Sequence, residues 1–420
     1  MSGVAQQKES IDSSKIIRLL LFFLFLNGVC DGSLMTSLAV YISDVKGMGF
    51  RGVSVFYTSF GVSSVVISLL TTSSVGNISI MKRACVGTIL LAVGYPMVLL
   101  VNSSGFISIP GMICGAGMSL YISALIGFLN DLSTDATRRT VFSQRNLYVN
   151  AGQCIGSLLI GSMIYFFGNA IANYFLIYKL FCMLFFGVIC WVKFNSDVGI
   201  LNEIKESFKS DIDDRKSNMS MIFFALLFNF LATMIVVGQI DTVLPLIATE
   251  LMHVDVAKFS TIIVANTLTV VFFQSYVSKI SSHIGEGKVL TLSAVLWVIS
   301  YLWCLIGICL VPGQPTMILV VFSIISGVGQ CLFSSAYYPY ISKASSSSDF
   351  KRFSSASSAA FNCGKALGLS YSGFALKTQD VYFVWWYLML SCLAMLVYTA
   401  GTQVYIEKSK GNIERIKALS

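Results

Sequence analysis

The chain has 420 residues, 55% of them hydrophobic and only 11% charged. Soluble domains carry roughly 25% charged residues, so these few charges cannot make a water-facing surface, and a bilayer must cover most of the outside. The net charge of +8 does not imply a nucleic-acid partner, because the basic residues sit in alternate loops between apolar runs, the distribution that orients membrane proteins.

A helix crossing the hydrocarbon core needs about 20 apolar residues, and runs of that length recur from end to end. A backbone in lipid must satisfy its own hydrogen bonds, so each run is read as helix. Spans are expected at about 16–43, 53–75, 84–104, 106–130, 140–168, 171–194, 220–248, 258–282, 288–311, 314–343, 352–376 and 381–406. The first follows a polar N-terminus and is too long for a cleaved leader. The third and fourth are split only by Asn102-Ser103-Ser104-Gly105, and the fifth and sixth only near Gly168-Asn169. The fold class is therefore all-α integral membrane, with twelve transmembrane helices.

The longest polar stretch separates the sixth and seventh spans and reads as a solvated linker. It divides the chain into an N-terminal half (1–194), a linker (195–219) and a C-terminal half (220–420). Twelve spans put both termini on one side. Of the 28 Lys and Arg, only Lys46, Arg51, Lys258 and Lys377 fall on the opposite side, with Arg145, Lys179 and Lys365 inside spans. That bias assigns both termini to the cytoplasm, in a multi-pass inner (plasma) membrane protein.

The halves repeat each other. At an offset of 212 residues, Gly115 falls on Gly327, Gly117 on Gly329, Ser143 on Ser355, Asn150 on Asn362, Gly152 on Gly364 and Gly156 on Gly368. Equal orientation makes this a parallel repeat of two six-helix halves, which usually enclose a central site where they meet.

These features resemble the major facilitator superfamily over the whole chain. Ser278 to Lys288 is similar to the family's loop after the eighth span, retaining Gly285 and Lys288, with Ser282 at the acidic position. After the second span only Lys82-Arg83 remains, so the charge latch that the family builds there is expected to be weaker. Gly152 to Gly161 resembles the family's antiporter motif in the fifth span, with Ser157 in place of proline and Ile160 in place of a glycine. The motif implies export. Independently of family, Gly152 and Gly156 share a helix face and let another backbone approach closely, so plain packing explains them equally well. Phe56-Tyr57-Thr58 and Ile240-Asp241 to Glu250 resemble the drug- and sugar-efflux branch.

Charges at bilayer depth cost at least about 2.5–3.5 kcal/mol and so tend to face a cavity or a partner. Asp31 lies about 20 Å along the first span at 1.5 Å per residue. A partly desolvated carboxylate there can load and release a proton; the alternative is permanent pairing with Arg145 or Lys365. Asp241, towards the outer end of the seventh span, is the second candidate for proton coupling. Lys365 fits either an anionic or carbonyl-rich substrate or a partnership with Asp31. Lys179 reads as a snorkelling or structurally paired residue. Candidate substrate-binding groups are Asn27, Arg145, Asn150, Gln239, Asn266, Gln330, Asn362 and Lys365.

The eleven cysteines form no CxxC and read as small apolar packing residues. His253 and His283 are the only histidines, in loops on opposite sides, and no HExxH, GxSxG or phosphate loop occurs, which argues against an enzyme. The expectation is a monomeric, cofactor-free, proton-coupled exporter of a small organic compound such as a drug-like molecule, sugar or small peptide. The alternative is proton-coupled uptake of a sugar, metabolite or metal chelate.

Overall fold

The structure, a computed structural model, describes residues 2–73, 80–133, 135–168, 173–174, 176–181, 183–184, 217–240, 243–311, 313–346, 349–376, 378 and 380–419. Among these no strand occurs. The N-terminal half holds α1 (Ser2–Val40, closed by a π turn Tyr41–Val45), α2 (Gly49–Ser73), α3 (Ile80–Leu100), α4 (Ser108–Asp131) and α5 (Asp135–Phe167). Helix α6 is described at 173–174, 176–181 and 183–184. The C-terminal half holds α7 (Met219–Ala232), α8 (Val256–Ile284), α9 (Glu286–Leu310), α10 (Pro315–Ala344), α11 (Phe350–Leu376) and α12 (Val381–Leu419).

Ten of the described helices are long and apolar enough to cross a membrane. Helix α11 has the length, 27 residues, but carries Ser354, Ser355, Ser357 and Ser358, all buried. It is a polar helix turned inward, as a cavity wall needs to be. Many large apolar side chains on other helices point out instead, such as Val62, Val66 and Leu69 on α2 and Phe272 and Phe273 on α8. In water such a surface would aggregate; against lipid tails it is neutral.

The packing repeats as the sequence does. Helix α1 packs on α5, α2 on α4 and α3 on α4; six helices later α7 packs on α11, α8 on α10 and α9 on α10. The halves meet through α5 with α8 and α2 with α11, pairs that the same sixfold shift interchanges. The 212-residue offset is thus a packing register. A Cβ added at Gly152 or Gly156 would land on the carbonyl oxygens of Phe25 or Val29 in α1. In the second half, a Cβ at Gly364 would land on the Phe230 carbonyl of α7, and one at Gly368 would sit 2.7 Å from the Met234 carbonyl. Ser157, where the family motif has proline, donates to the Gly32 carbonyl at 3.0 Å and accepts from the Thr36 hydroxyl at 3.1 Å. Gly152 and Gly156 of α5 are thus both covered by α1.

Helix α7 departs from the single span expected at 220–248. After Ala232 it widens into a π turn, Thr233–Val237, and continues as short turns, Gly238–Ile240 and Leu244–Leu246, and a second π turn, Ile247–Leu251. A π turn withdraws carbonyls from regular pairing, and at membrane depth they need other donors. The Tyr301 hydroxyl donates to the Ile235 carbonyl at 2.5 Å, and the Gln239 amide donates to the Met234 carbonyl.

The latch region is present in altered form. Gly285, at φ +91, breaks the chain between α8 and α9 in a conformation that a side chain would strain. Beyond it, Glu286 supplies the carboxylate that Ser282 does not, accepting from Lys343 on α10 at 2.6 Å.

Candidate functional site

The two halves enclose a cavity of about 290 Å³. They touch on both sides of it. Towards the end where α5 begins, the Arg138 guanidinium donates to the Ser342 hydroxyl at 2.7 Å, the Phe142 and Tyr338 rings stack at 5.0 Å, and the Asn146 amide donates to Gln274 at 2.7 Å and Ser334 at 3.0 Å. Towards the other end, α1 meets the Leu244–Leu246 turn, and Gly161 lies so close to Ser260 that a Cβ would overlap its hydroxyl.

Of the residues proposed from sequence, Asn27, Asp31, Arg145, Asn150, Asn266, Gln330, Asn362 and Lys365 all line this cavity. Five helices supply them, α1 and α5 from the first half and α8, α10 and α11 from the second. Asp31 is paired, but with neither partner foreseen. The Lys179 ammonium reaches its Oδ1 at 2.5 Å and donates to the Asn27 Oδ1 at 2.7 Å, and the Asn27 amide donates to the Asp31 Oδ2 at 2.8 Å. Lys179 is almost sealed off, with 2% of its side chain exposed, whereas 18% of Asp31 remains open to the cavity. The ammonium also stands 5.6 Å from the centre of the Tyr95 ring. Three groups thus close one charged ring that joins α1 to α6. Of the two sequence readings of Lys179, structural pairing describes its position.

Arg145 lines the cavity from α5, and its buried Nε has no hydrogen-bond partner. Lys365 lines it from α11, its ammonium 5.8 Å from the centre of the Phe60 ring. Asn150 bonds back to the Asn146 carbonyl at 2.8 Å and Asn266 to the Ser323 carbonyl at 3.0 Å. Gln330 Oε1 and Asn362 Oδ1 are buried acceptors without partners. Gln239 does not line the cavity: it sits in the short turn Gly238–Ile240 that follows the π turn of α7, its amide on Met234 and its carbonyl accepting from Ser372 at 2.8 Å. Asp241 lies outside the described residues. Asn229, Ser334 and Ser358 also line the wall; the mid-span amide of Asn229 was the signal that could have located it.

A polytopic helical membrane protein whose two like halves close around a polar, charged cavity is the class that this geometry defines. Residues 222–418 match the sequence profile of the Major Facilitator Superfamily. Solved structures share the fold over nearly the whole chain. A nucleoside transporter, NupG, is 16% identical with a TM-score of 0.65, covering 92% of this chain and 99% of its own. The peptide transporter POT, in complex with sulfate, is 15% identical at 0.65, covering 93% and 94%. A bacterial homologue of the iron transporter ferroportin, in an outward-facing state, is 11% identical at 0.65, covering 92% and 99%. No curated protein matches the sequence. The chain has the major facilitator fold, with ten helices among the described residues long and apolar enough to span a membrane, arranged in two like halves.

Proposed function

We propose that the protein is a secondary active transporter that moves a small organic compound by alternating access, with Asp31 as its proton-loading carboxylate. The observation that carries this is the placement of Asp31. It is the one carboxylate among the described residues lining the cavity, it remains partly open to it, and its ionised form is held by Lys179 and Asn27. A proton arriving on Asp31 removes the attraction that ties α1 to α6. The pair therefore has two states, which a proton and a conformational change can both bias. A catalytic role finds no support in a cavity with this composition. The solved proteins of this fold are named for nucleosides, peptides and iron, so the fold does not choose the cargo.

The charge asymmetry of the loops supports a reading with both termini in the cytoplasm, as a monomer in the inner membrane. The glycines of α5 are what suggested export of a drug-like molecule, sugar or small peptide. A second reading, proton-coupled uptake, stays open on a specific observation: Gly152 and Gly156 are accounted for by contact with α1 and Gly161 by contact with Ser260 of α8, so close packing explains the glycines without antiport.

The test is reconstitution into proteoliposomes with an internal pH dye and a panel of candidate solutes. A solute of the protein should drive proton movement in wild type. In Asp31→Asn that movement should vanish while solute exchange without a gradient persists. Solute and proton moving the same way mean symport; opposite movement means antiport. Wild-type proton coupling in Asp31→Asn would refute the role of Asp31.

A further inference from the structure

We infer that the transported compound is an organic anion, with its carboxylate or phosphate held by Arg145 and its apolar part against the aromatic wall of the cavity. As a statement about substrate this rests on the transporter reading above; as a statement about binding it does not.

Arg145 presents a planar, delocalised guanidinium, the side chain best suited to two-point recognition of an anion. The residue lines the cavity, and its Nε is buried without a hydrogen-bond partner. A buried donor left unpaired is costly, and more so on a charged group. The described carboxylate of the cavity cannot serve it, because Asp31 is engaged by Lys179 at 2.5 Å. What the Nε lacks is an acceptor, and a bound anion can supply it. Its planar fork matches a carboxylate or phosphate in two parallel hydrogen bonds.

The surroundings agree on the sign. Lys365 brings a second cation to the same cavity from the opposite half, over the Phe60 ring. A cationic drug would meet repulsion from both. A neutral sugar would leave the guanidinium without its counter-charge. The rest of the ligand is also outlined. Phe60, Tyr121, Phe333 and Tyr337 offer ring surface, and the unpartnered Gln330 Oε1 and Asn362 Oδ1 are placed to accept from a hydroxyl or N–H. Anchored to Arg145 in one half and facing Lys365 in the other, an anion would draw the halves together as it binds.

The test uses binding rather than transport. The purified full-length protein is melted in detergent at constant ionic strength with benzoate, phenyl phosphate, benzamide or benzylamine. These probes share a ring and differ in charge. We expect one or both anions to raise the melting temperature while benzamide and benzylamine do not; the response to benzoate against phenyl phosphate tells which headgroup fits. Arg145→Gln should weaken that binding by about tenfold or more, and Arg145→Lys should retain part of it. Equal stabilisation by benzamide or benzylamine, no stabilisation by either anion, or unchanged anion binding in Arg145→Gln would each overturn the inference. Should Arg145→Gln not fold, the charge preference of the wild type and the Arg145→Lys variant decide. Anion binding without coupled proton movement would sink the transporter reading alone, and coupled movement of a neutral or cationic solute would sink this inference alone.

Discussion

Removing either partner of the Asp31–Lys179 pair should have unequal consequences. Breaking a buried ion pair from one side costs about 3–5 kcal/mol, because the remaining charge is left uncompensated. In Asp31→Asn that charge is the Lys179 ammonium, 2% exposed. It keeps the Asn27 oxygen at 2.7 Å and the Tyr95 ring, which places the loss at the lower end, about 3 kcal/mol. In Lys179→Met the stranded group is the Asp31 carboxylate. It is 18% exposed, keeps the Asn27 amide at 2.8 Å, and can take up a proton, so the loss should be nearer about 1–2 kcal/mol. The double variant, with neither charge, should recover most of the loss of Asp31→Asn. Melting in detergent followed by tryptophan emission gives the measurement, since Trp297 and Trp385 are fully buried and report directly on the C-terminal half, while size-exclusion recovery reports on the whole chain. A larger loss in Lys179→Met than in Asp31→Asn, or losses that simply add in the double variant, would refute the geometry of the pair.

Gly152→Leu and Gly364→Leu should each lower folded yield by an amount consistent with overpacking, about 1–3 kcal/mol or more, since the Cβ alone overlaps a carbonyl of the facing helix; Gly105→Ala, whose nearest neighbour would be 3.9 Å away, is the tolerated control, and wild-type yield of both leucine variants would contradict the close approach. Glu250, in the last π turn before α8, has its pKa raised by burial and further by the charge of Asp44 from the other half. A raised carboxylate pKa means that the protonated form favours the fold and that this contribution is lost as pH rises through the folded-state value. Glu250→Gln should therefore be more stable than wild type near pH 8, with the gap closing as the pH falls into the ordinary carboxylate range; thermal melts at several pH values check this.

Much of this arrangement is legible from residue order because lipid removes alternatives. Apolar runs of spanning length must be helices, and the repeated glycines fix which helices touch, since Gly152 and Gly364 occupy equivalent contacts on α1 and α7. The cavity polar residues were legible for the same reason: Asn27, Asn150, Asn266 and Asn362 sit mid-span where a polar amide has no place facing lipid. Pairing was not legible. Lys179 lies 148 residues from Asp31, and nothing in the periodicity of the sixth span says that its lysine points inward to α1 rather than snorkelling. Gln239 was misplaced because the π turn before it is invisible in hydropathy; the extra residue in that turn rotates the following side chains, and the amide went to the carbonyl that the turn had freed. The acceptors left open at Gln330 and Asn362 could be located by sequence but not recognised as unpaired, which is a property of their neighbours.

The first residues of α7 belong mechanically to the half that they begin. Asn218 caps the helix by accepting from the Met221 amide at 3.2 Å, and its own amide donates to the Ala344 carbonyl at 2.7 Å. The Ser217 hydroxyl donates to Asp349 at 2.6 Å and accepts from the Ser346 amide at 3.0 Å. This knot fastens the end of the 195–219 stretch to the α10–α11 corner. For anyone dividing the chain into two co-expressed fragments, it marks the ligation boundary: a cut upstream of Ser217 delivers the second fragment with its corner already tied, whereas a cut one turn later leaves Ala344, Ser346 and Asp349 without their tether in either fragment.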